Sequence, residues 1–347
     1  MAFQMHLSDY SFALPDGLIA QEPLERRESS RMLVVDRAAA AFAESTFADL
    51  PSLLEAGDLL VVNNTKVFPA RLVGRSDTGG EVELFLVEEL EPLFWETLAR
   101  PGRRLKPGKI VTFSEKLQAE VVQKRDNGRV LVRFDSRGEF DEILEQIGRT
   151  PLPPYIERSR VGPDADRERY QTVFAANRGA IAAPTAGLHF TPQIFDALKG
   201  RGVEIAEITL HVGYGTFEPV RAADLKNHRV APERYEIGAA AAEILEQARG
   251  EGRRIVAVGT TTTRTLEHVL GRFGEFRAGV SRADLTILPG YRFTAVGAML
   301  TNFHLPESSL LILVATFGGY ELIMEAYRHA VASGFRFYSY GDCMLIR

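Results

Sequence analysis

Between about residues 74 and 139, short β-rich runs recur roughly every ten residues, and no other stretch limits the fold of the chain so tightly. The runs are 82–87, 95–98, 110–113, 119–122 and 130–134. Turn signals separate them: Asp77-Thr78-Gly79-Gly80, Pro101-Gly102, Pro107-Gly108 and Asp126-Asn127-Gly128. Proline presets one turn dihedral and glycine accepts the positive φ that tight turns demand, so neighbouring runs must fold back on each other. The rhythm predicts a small antiparallel β-barrel.

On either side the pattern changes. Residues 32–35 and 58–62 are apolar or β-rich, residues 140–147 read as a helix, and Pro151-Leu152-Pro153-Pro154 forces an extended exit. From about residue 168, strands and helices alternate. Strands are expected at 179–183, 203–212, 254–258 and 335–340. Helices are expected after Thr191-Pro192 as N-cap and first turn, at 239–249, within 262–270, and at 310–317 and 320–332. Alternation of this kind implies an α/β layer with much parallel sheet. The expected class is therefore α/β plus all-β. An α/β domain is built from both chain ends (1–73 with 148–347), and a small antiparallel barrel domain (74–147) is inserted.

Charge distribution says more than net charge. The whole chain carries −5, yet residues 97–137 hold 11 Lys and Arg against four Asp and Glu, leaving −12 for the remainder. A solvated basic face accounts for this, as does a patch for a polyanion. The single cysteine, Cys343, forms no internal disulfide and no Cys-based zinc site. No signal-peptide pattern opens the sequence and no apolar run approaches a membrane span, so a cytosolic protein without membrane association is expected.

Familiar motifs are missing: there is no P-loop, no G-x-S-x-G elbow and no H-E-x-x-H, and Gly213-Tyr214-Gly215 is only half of a dinucleotide fingerprint. Four loops remain, three following predicted strands and one preceding the 310–317 helix. They are Pro184 to Thr191, His211 to Phe217, Gly259 to Arg264 and Thr301 to Pro306. Ligands of α/β sheets bind beyond strand carboxyl ends, where helix N-termini offer unpaired N–H groups. Singly, each loop has an ordinary structural reading as a capping Thr, a turn Gly or a core His. Together they point to a polar ligand pocket.

Long strings in these regions resemble one family. They include Gly57-Asp58-Leu59-Leu60-Val61-Val62-Asn63-Asn64-Thr65-Lys66-Val67, Ala182-Ala183-Pro184-Thr185-Ala186-Gly187-Leu188-His189-Phe190, Leu300-Thr301-Asn302-Phe303-His304-Leu305-Pro306 and Arg336-Phe337-Tyr338-Ser339-Tyr340-Gly341-Asp342. Segments 18–24, 151–156, 169–173, 209–213 and 256–261 join them in the same order. The chain thus resembles the S-adenosylmethionine:tRNA ribosyltransferase-isomerases of queuosine biosynthesis from about residue 6 to its end. The sequence departs from that pattern at Lys66 (usually Arg), at Val230-Ala231-Pro232 (where a histidine is missing), at Thr262-Thr263 (usually Ser-Val) and at Leu288 (usually Tyr).

The resemblance implies transfer and isomerisation of the ribosyl part of S-adenosylmethionine onto 7-aminomethyl-7-deazaguanine at the tRNA wobble position. The products are epoxyqueuosine, adenine and methionine. S-adenosylmethionine is then a co-substrate, tRNA the partner, and no metal or prosthetic group is implied. A sulfonium acidifies the adjacent ribose C–H, so a base is required, and histidine is the default. On this reading His189 or His211 is the base, with Arg264 and His304 as further catalytic candidates. Thr185, Gly187, Gly213, Gly215, Thr216, Gly259, Thr260, Thr261 and Asn302 line the donor pocket, and Arg103, Arg104, Lys106, Arg158 and Arg160 track the RNA backbone. The competing readings are a non-catalytic RNA-binding protein, a metal-dependent hydrolase and a methyltransferase.

Overall fold

The computed structural model describes residues 5–158, 164–213 and 220–347. The chain begins with β1 (Arg31–Asp36) and β2 (Ala41–Thr46), a short helix α1 (Leu50–Leu53), and β3 (Leu59–Asn63) followed by β4 (Thr65–Val67). Six strands then follow in sequence: β5 (Arg71–Ser76), β6 (Glu81–Glu91), β7 (Phe94–Arg100), β8 (Ile110–Ser114), β9 (Leu117–Lys124) and β10 (Val130–Ser136). They close into an antiparallel barrel in the order β10-β7-β6-β5-β8-β9. Valine and leucine from alternate positions fill its interior, and Ile143 and Leu144 of α2 (Phe140–Ile147) pack with them. Gly74 lets β8 come close, because a Cβ there would sit 2.6 Å from the Thr112 carbonyl oxygen.

The remaining elements are α3 (Asp166–Arg169), β11 (Asn177–Ala180), α4 (Pro192–Gly200), β12 (Glu204–Leu210), β13 (Glu233–Ile237), α5 (Ala239–Gly250), β14 (Ile255–Val258) and α6 (Thr260–Phe273). After them come β15 (Gly279–Ala283), β16 (Ala298–Asn302), α7 (Ser309–Gly318), α8 (Tyr320–Ala332) and β17 (Cys343–Ile346). β11 pairs parallel with β4, and the other strands join β1 to β3 in a nine-stranded sheet ordered β15-β13-β12-β3-β14-β16-β17-β1-β2. The centre is parallel through β12, β3, β14 and β16. β17 returns antiparallel to β16 and parallel to β1, and β13, β15 and β2 add antiparallel edges.

Helices cover both faces, which is why the central strands read as unbroken apolar runs. The period-two rule sorts them cleanly. Leu59, Val61, Ile255, Ala257, Met299 and Met344 face the core with α5, α6, α7 and α8. Leu60, Val62, Val256, Val258, Leu300 and Leu345 face the core with α1 and α4. α4 starts on Thr191, whose side chain accepts from the Ile194 N–H, with Pro192 next, as its sequence predicts. No single helix among the described residues is long and apolar enough to cross a membrane, and the α7–α8 pair bends by 118° at Gly318-Gly319.

One predicted strand is corrected. Residues 335–340 form no strand; the last strand is β17, beginning at Cys343. Asp342 receives the Arg336 N–H at 2.8 Å and its own N–H donates to the Arg336 carbonyl, folding 336–342 into a tight turn. Gly341 is obligatory there, since a Cβ would lie 2.5 Å from the Arg336 oxygen.

Candidate active site

The parallel strands β12, β14 and β16 deliver their following loops to one cleft of about 620 Å³, part of it open to solvent. Its walls bring together Ala182 to Ala186, Val212, Gly259 to Thr261, Thr301 to His304 and Leu310, with Tyr155, Tyr338 and Ser339 from distant parts of the chain. The location is the one expected for an α/β sheet, beyond strand carboxyl ends.

The floor is the N-terminus of α6. Gly259 sits between β14 and α6 at φ +93°, a region open to glycine, and a Cβ there would meet nothing closer than 3.8 Å, so dihedral and not crowding sets the residue. The first N–H groups of α6 lack intrahelical acceptors, and no side chain among the described residues caps them. Thr262, Thr263 and Thr265 return their hydroxyls to the carbonyls of Val258, Gly259 and Thr261, four residues back. Thr260 and Thr261 do not: their hydroxyls have no partner among the described residues and line the cleft. The departure at Thr262-Thr263 is thus absorbed inside the first turn of a helix.

His304 lies on the opposite wall. Its Nε2 is 2.9 Å from the Thr301 hydroxyl, and Nδ1 has no partner among the described residues. Burial alone pushes its pKa down to about 3, so the ring is neutral. Asn302, also on the wall, donates Nδ2–H to the carbonyls of Tyr338 at 2.9 Å and Ser339 at 3.3 Å. Its Oδ1 is 3.0 Å from His189 Nε2, while His189 Nδ1 is 2.8 Å from the Ser30 hydroxyl. Both ring nitrogens of His189 are therefore engaged, and the residue stands behind Asn302 without lining the cleft. Burial lowers its pKa to about 4, against a smaller opposing effect of the Asn302 bond.

His211 also stands off the cleft. Its Nδ1 is 2.9 Å from the Thr65 hydroxyl and its ring lies against Gly179, where a Cβ would approach to 2.6 Å. Burial lowers its pKa. Around it Asn63, Asn64, Asn177 and Thr209 form a polar seam: Asn63 Oδ1 accepts the Leu210 N–H at 2.9 Å, and Asn64 Oδ1 accepts the Thr209 hydroxyl at 2.7 Å. The Asn-Asn-Thr string thus ties β3 to β12 and to the start of β11.

Arg264 lines a second cavity of about 500 Å³, which shares Thr260, Thr261 and Leu310 with the cleft. Its guanidinium pairs with buried Glu233, whose other oxygen accepts the Gly213 N–H at 3.1 Å. Gly213 is therefore fixed from behind. Gly187 serves packing, since a Cβ would meet Phe174 and Thr172 at 2.8 and 2.9 Å. Thr185 is on the cleft wall. Gly215, Thr216 and Arg160 lie outside the described residues. Val230 and Leu288 fall near the second cavity or its packing: Val230 donates its N–H to Thr286 at 3.1 Å, and Leu288 packs on the core. Lys66 is exposed on β4, away from the cleft.

Sequence reasoning missed the aromatic wall. Tyr155 reaches the Ser339 hydroxyl at 2.5 Å and packs edge-on to Tyr338, centroids 3.7 Å apart. Tyr338 adopts φ +75°, an arrangement that costs a bulky residue about 1–3 kcal/mol and concentrates at functional sites. Burial raises the Tyr155 pKa and pushes that of Tyr338 up to about 12, so both stay neutral donors. The strings containing them were visible, but neither holds a residue type that signals chemistry on its own.

Of the basic residues proposed for RNA, Arg103 and Lys106 are exposed on the barrel without an ion-pair partner among the described residues, and of Arg104 only the backbone, in the turn Gly102–Arg104, is described. Arg158 forks onto Asp166 at 2.7 and 3.2 Å. Elsewhere the basic cluster is partly neutralised: Arg125 and Arg129 pair with Glu96, and Lys109 with Asp77. Among the described residues no group of three or more His, Cys, Asp or Glu is placed to hold a metal ion.

The family model for queuosine biosynthesis proteins matches residues 7–346. An S-adenosylmethionine:tRNA ribosyltransferase-isomerase of Citrifermentans bemidjiense is 50% identical over 344 residues, and that of Syntrophotalea carbinolica 49%; each alignment covers 99% of this chain and all of the relative. A crystal structure of an S-adenosylmethionine tRNA ribosyltransferase from Thermotoga maritima superposes with a TM-score of 0.57 at 36% identity, covering 98% of this chain and 100% of that one. A match that runs through the barrel, the sheet and every wall of the cleft leaves one assignment: this chain belongs to the family of queuosine biosynthesis proteins.

Proposed function

We infer that the chain is an S-adenosylmethionine:tRNA ribosyltransferase-isomerase. It transfers the ribosyl group of its co-substrate to 7-aminomethyl-7-deazaguanine at the tRNA wobble position and isomerises it, releasing adenine and methionine. The observation that carries this is one cleft holding a helix N-terminus and two threonine hydroxyls that no described side chain engages, a neutral histidine and an aromatic wall. A reading as a non-catalytic RNA-binding protein leaves that constellation without a role.

Within this reading the donor's carboxylate sits at the α6 N-terminus beside Thr260 and Thr261, where backbone N–H groups and the helix dipole favour an anion. Its adenine lies along Tyr155 and Tyr338, which supply ring surface and neutral donors for the departing base. Of the four proposed catalytic residues, His304 is the one on the cleft wall, and with Nε2–H donated to Thr301 its Nδ1 offers the lone pair that removes the sulfonium-activated proton. On this reading His189 and His211 are positioning residues, the first holding Asn302 and the second packing against Gly179 of β11. Arg264 anchors Glu233 and the Gly213 loop. The barrel insertion, 74–147, carries part of the RNA contact through Arg103, Arg104 and Lys106.

Mass spectrometry of a reaction containing S-adenosylmethionine and tRNA bearing 7-aminomethyl-7-deazaguanine tests the reading. Adenine and methionine are expected in solution and an epoxycyclopentanediol on the RNA. Recovery of both substrates intact, under conditions where both bind, overturns it.

A further inference from the structure

A smaller cavity of about 290 Å³ opens beside the cleft, and its walls include Arg27, Arg169, Ser30 and His189. The two spaces share Ser339, and the His189–Asn302 hydrogen bond spans the wall between them. Among the described residues, Arg27 and Arg169 are held by neutral acceptors. Arg27 donates to the carbonyls of Leu188 and Glu168, each at 3.0 Å, and Arg169 to those of Leu24 and Glu25. Nearby Arg336 donates to the Glu22 carbonyl, and its Nη1 is buried without a partner among the described residues.

Neither Arg27 nor Arg169 has a carboxylate partner among the described residues. Two nearby acids are committed elsewhere: Asp166 to Arg158 and the Tyr340 hydroxyl, and Asp342 to the backbone N–H groups of Arg31 and Arg336. Burial and the neighbouring Arg169 both lower the pKa of Arg27, and Arg27 and Arg336 both oppose protonation of His189. A half-buried guanidinium beside a second one, with no carboxylate partner among the described residues, favours an anion at this wall. Their planar forks match oxyanions bidentately.

We propose that the cavity walled by Arg27 and Arg169 seats a backbone phosphate of the RNA substrate, the one flanking the nucleotide whose base enters the cleft. The assignment rests on the reaction proposed above. The donor's carboxylate already has the α6 N-terminus inside the cleft, whereas an RNA strand placing its base there must carry a phosphodiester past the Ser339 rim.

The test uses the full chain and a synthetic anticodon stem-loop carrying 7-aminomethyl-7-deazaguanine, with a neutral methylphosphonate replacing in turn each phosphate flanking that nucleotide. For the unaltered protein, one replacement is expected to weaken binding about tenfold, in the range of a lost charge-assisted hydrogen bond. Arg169→Gln and Arg27→Gln are each expected to cause a similar loss on ordinary RNA, to reduce the slope of log K against log salt by about 0.7, and to add almost nothing on that methylphosphonate RNA. Equal binding of both methylphosphonate RNAs by the unaltered protein overturns the proposal, and that arm needs no variant to fold. Additive losses overturn it too, as does a selective loss of S-adenosylmethionine affinity in the variants, which assigns the cavity to the donor's carboxylate. Adenine release by the unaltered protein on ordinary RNA is read separately: if it occurs while the phosphate arms fail, only the phosphate site falls.

Discussion

Acid should unfold this protein through two buried histidines before it silences any base in the cleft. Desolvation pulls His189 down to about 4 and His304 to about 3, whereas both titrate near 6.5 once the chain unfolds. The folded pKa is depressed for a group that charges on protonation, so between these values the unfolded state binds more protons and stability rises with pH. The contribution is complete above pH 6.5 and is lost as pH falls toward 4 and 3. At pH 5 each ring has lost about 2 kcal/mol, since one pKa unit corresponds to about 1.4 kcal/mol. The pair together loses about 4 kcal/mol, a large part of a typical stability of roughly 5–15 kcal/mol. His211, His228 and His268 shift in the same direction, all led by burial, and steepen the slope further.

Urea melts from pH 8 to pH 5 at fixed ionic strength read this slope, and the window stops where lowered carboxylates such as Asp49 and Glu246 begin to protonate in the unfolded chain. His189→Asn and His304→Gln keep a hydrogen-bonding side chain but cannot charge. Each is expected to remove close to one proton's worth of slope, about 1.4 kcal/mol per pH unit, below pH 6. Variants that lose stability at pH 8 yet retain the parental slope would refute the reasoning, because the rings would then be hydrated or protonated in the fold.

Four further expectations concern single sites. Gly187→Ala forces a Cβ against Phe174 and Thr172 and should cost about 1–3 kcal/mol in a thermal melt, with donor affinity intact in the folded fraction. Arg264→Met takes the guanidinium from buried Glu233 and should cost about 3–5 kcal/mol by urea denaturation; a loss under 1 kcal/mol would mean that the ion pair is hydrated. Thr260→Val and Thr261→Val should each weaken S-adenosylmethionine binding in calorimetry about tenfold without lowering the melting temperature, since neither hydroxyl supports the helix. Replacing Arg103 and Lys106 together with Ser should flatten the salt dependence of tRNA binding by up to about 1.8 in log–log slope, and an unchanged slope removes that edge of the barrel from the interface.

The barrel was legible because its signals are local: most turns carry their own Gly, Pro or Asn, the Glu115-Lys116 turn between β8 and β9 being an exception, and every predicted run lies in a strand. The central parallel strands were legible as apolar runs for the reason that makes them central. Edge strands were not. β15 has four exposed residues in five and β2 alternates only weakly, so neither writes a period into the sequence. The final strand was misplaced because Phe335, Phe337 and Tyr340 are apolar by virtue of packing around a turn closed by Asp342, and period alone does not separate a buried turn from a buried strand.

The same limit governs the site. The four loops identified from sequence do converge, because a loop's position follows from the strand before it. Which side chain faces the ligand does not follow, because it depends on partners far along the chain. His189 and His304 occupy similar loops and are equally buried, yet Ser30 and Asn302 occupy both nitrogens of the first, while the second keeps one unengaged among the described residues. Tyr155 and Ser339, 184 residues apart, meet only because the turn at 336–342 and the proline-rich exit from the barrel fold against each other. Loop identity is therefore written locally and loop chemistry non-locally. The residues that separate a base from a brace are the ones that hold its other nitrogen.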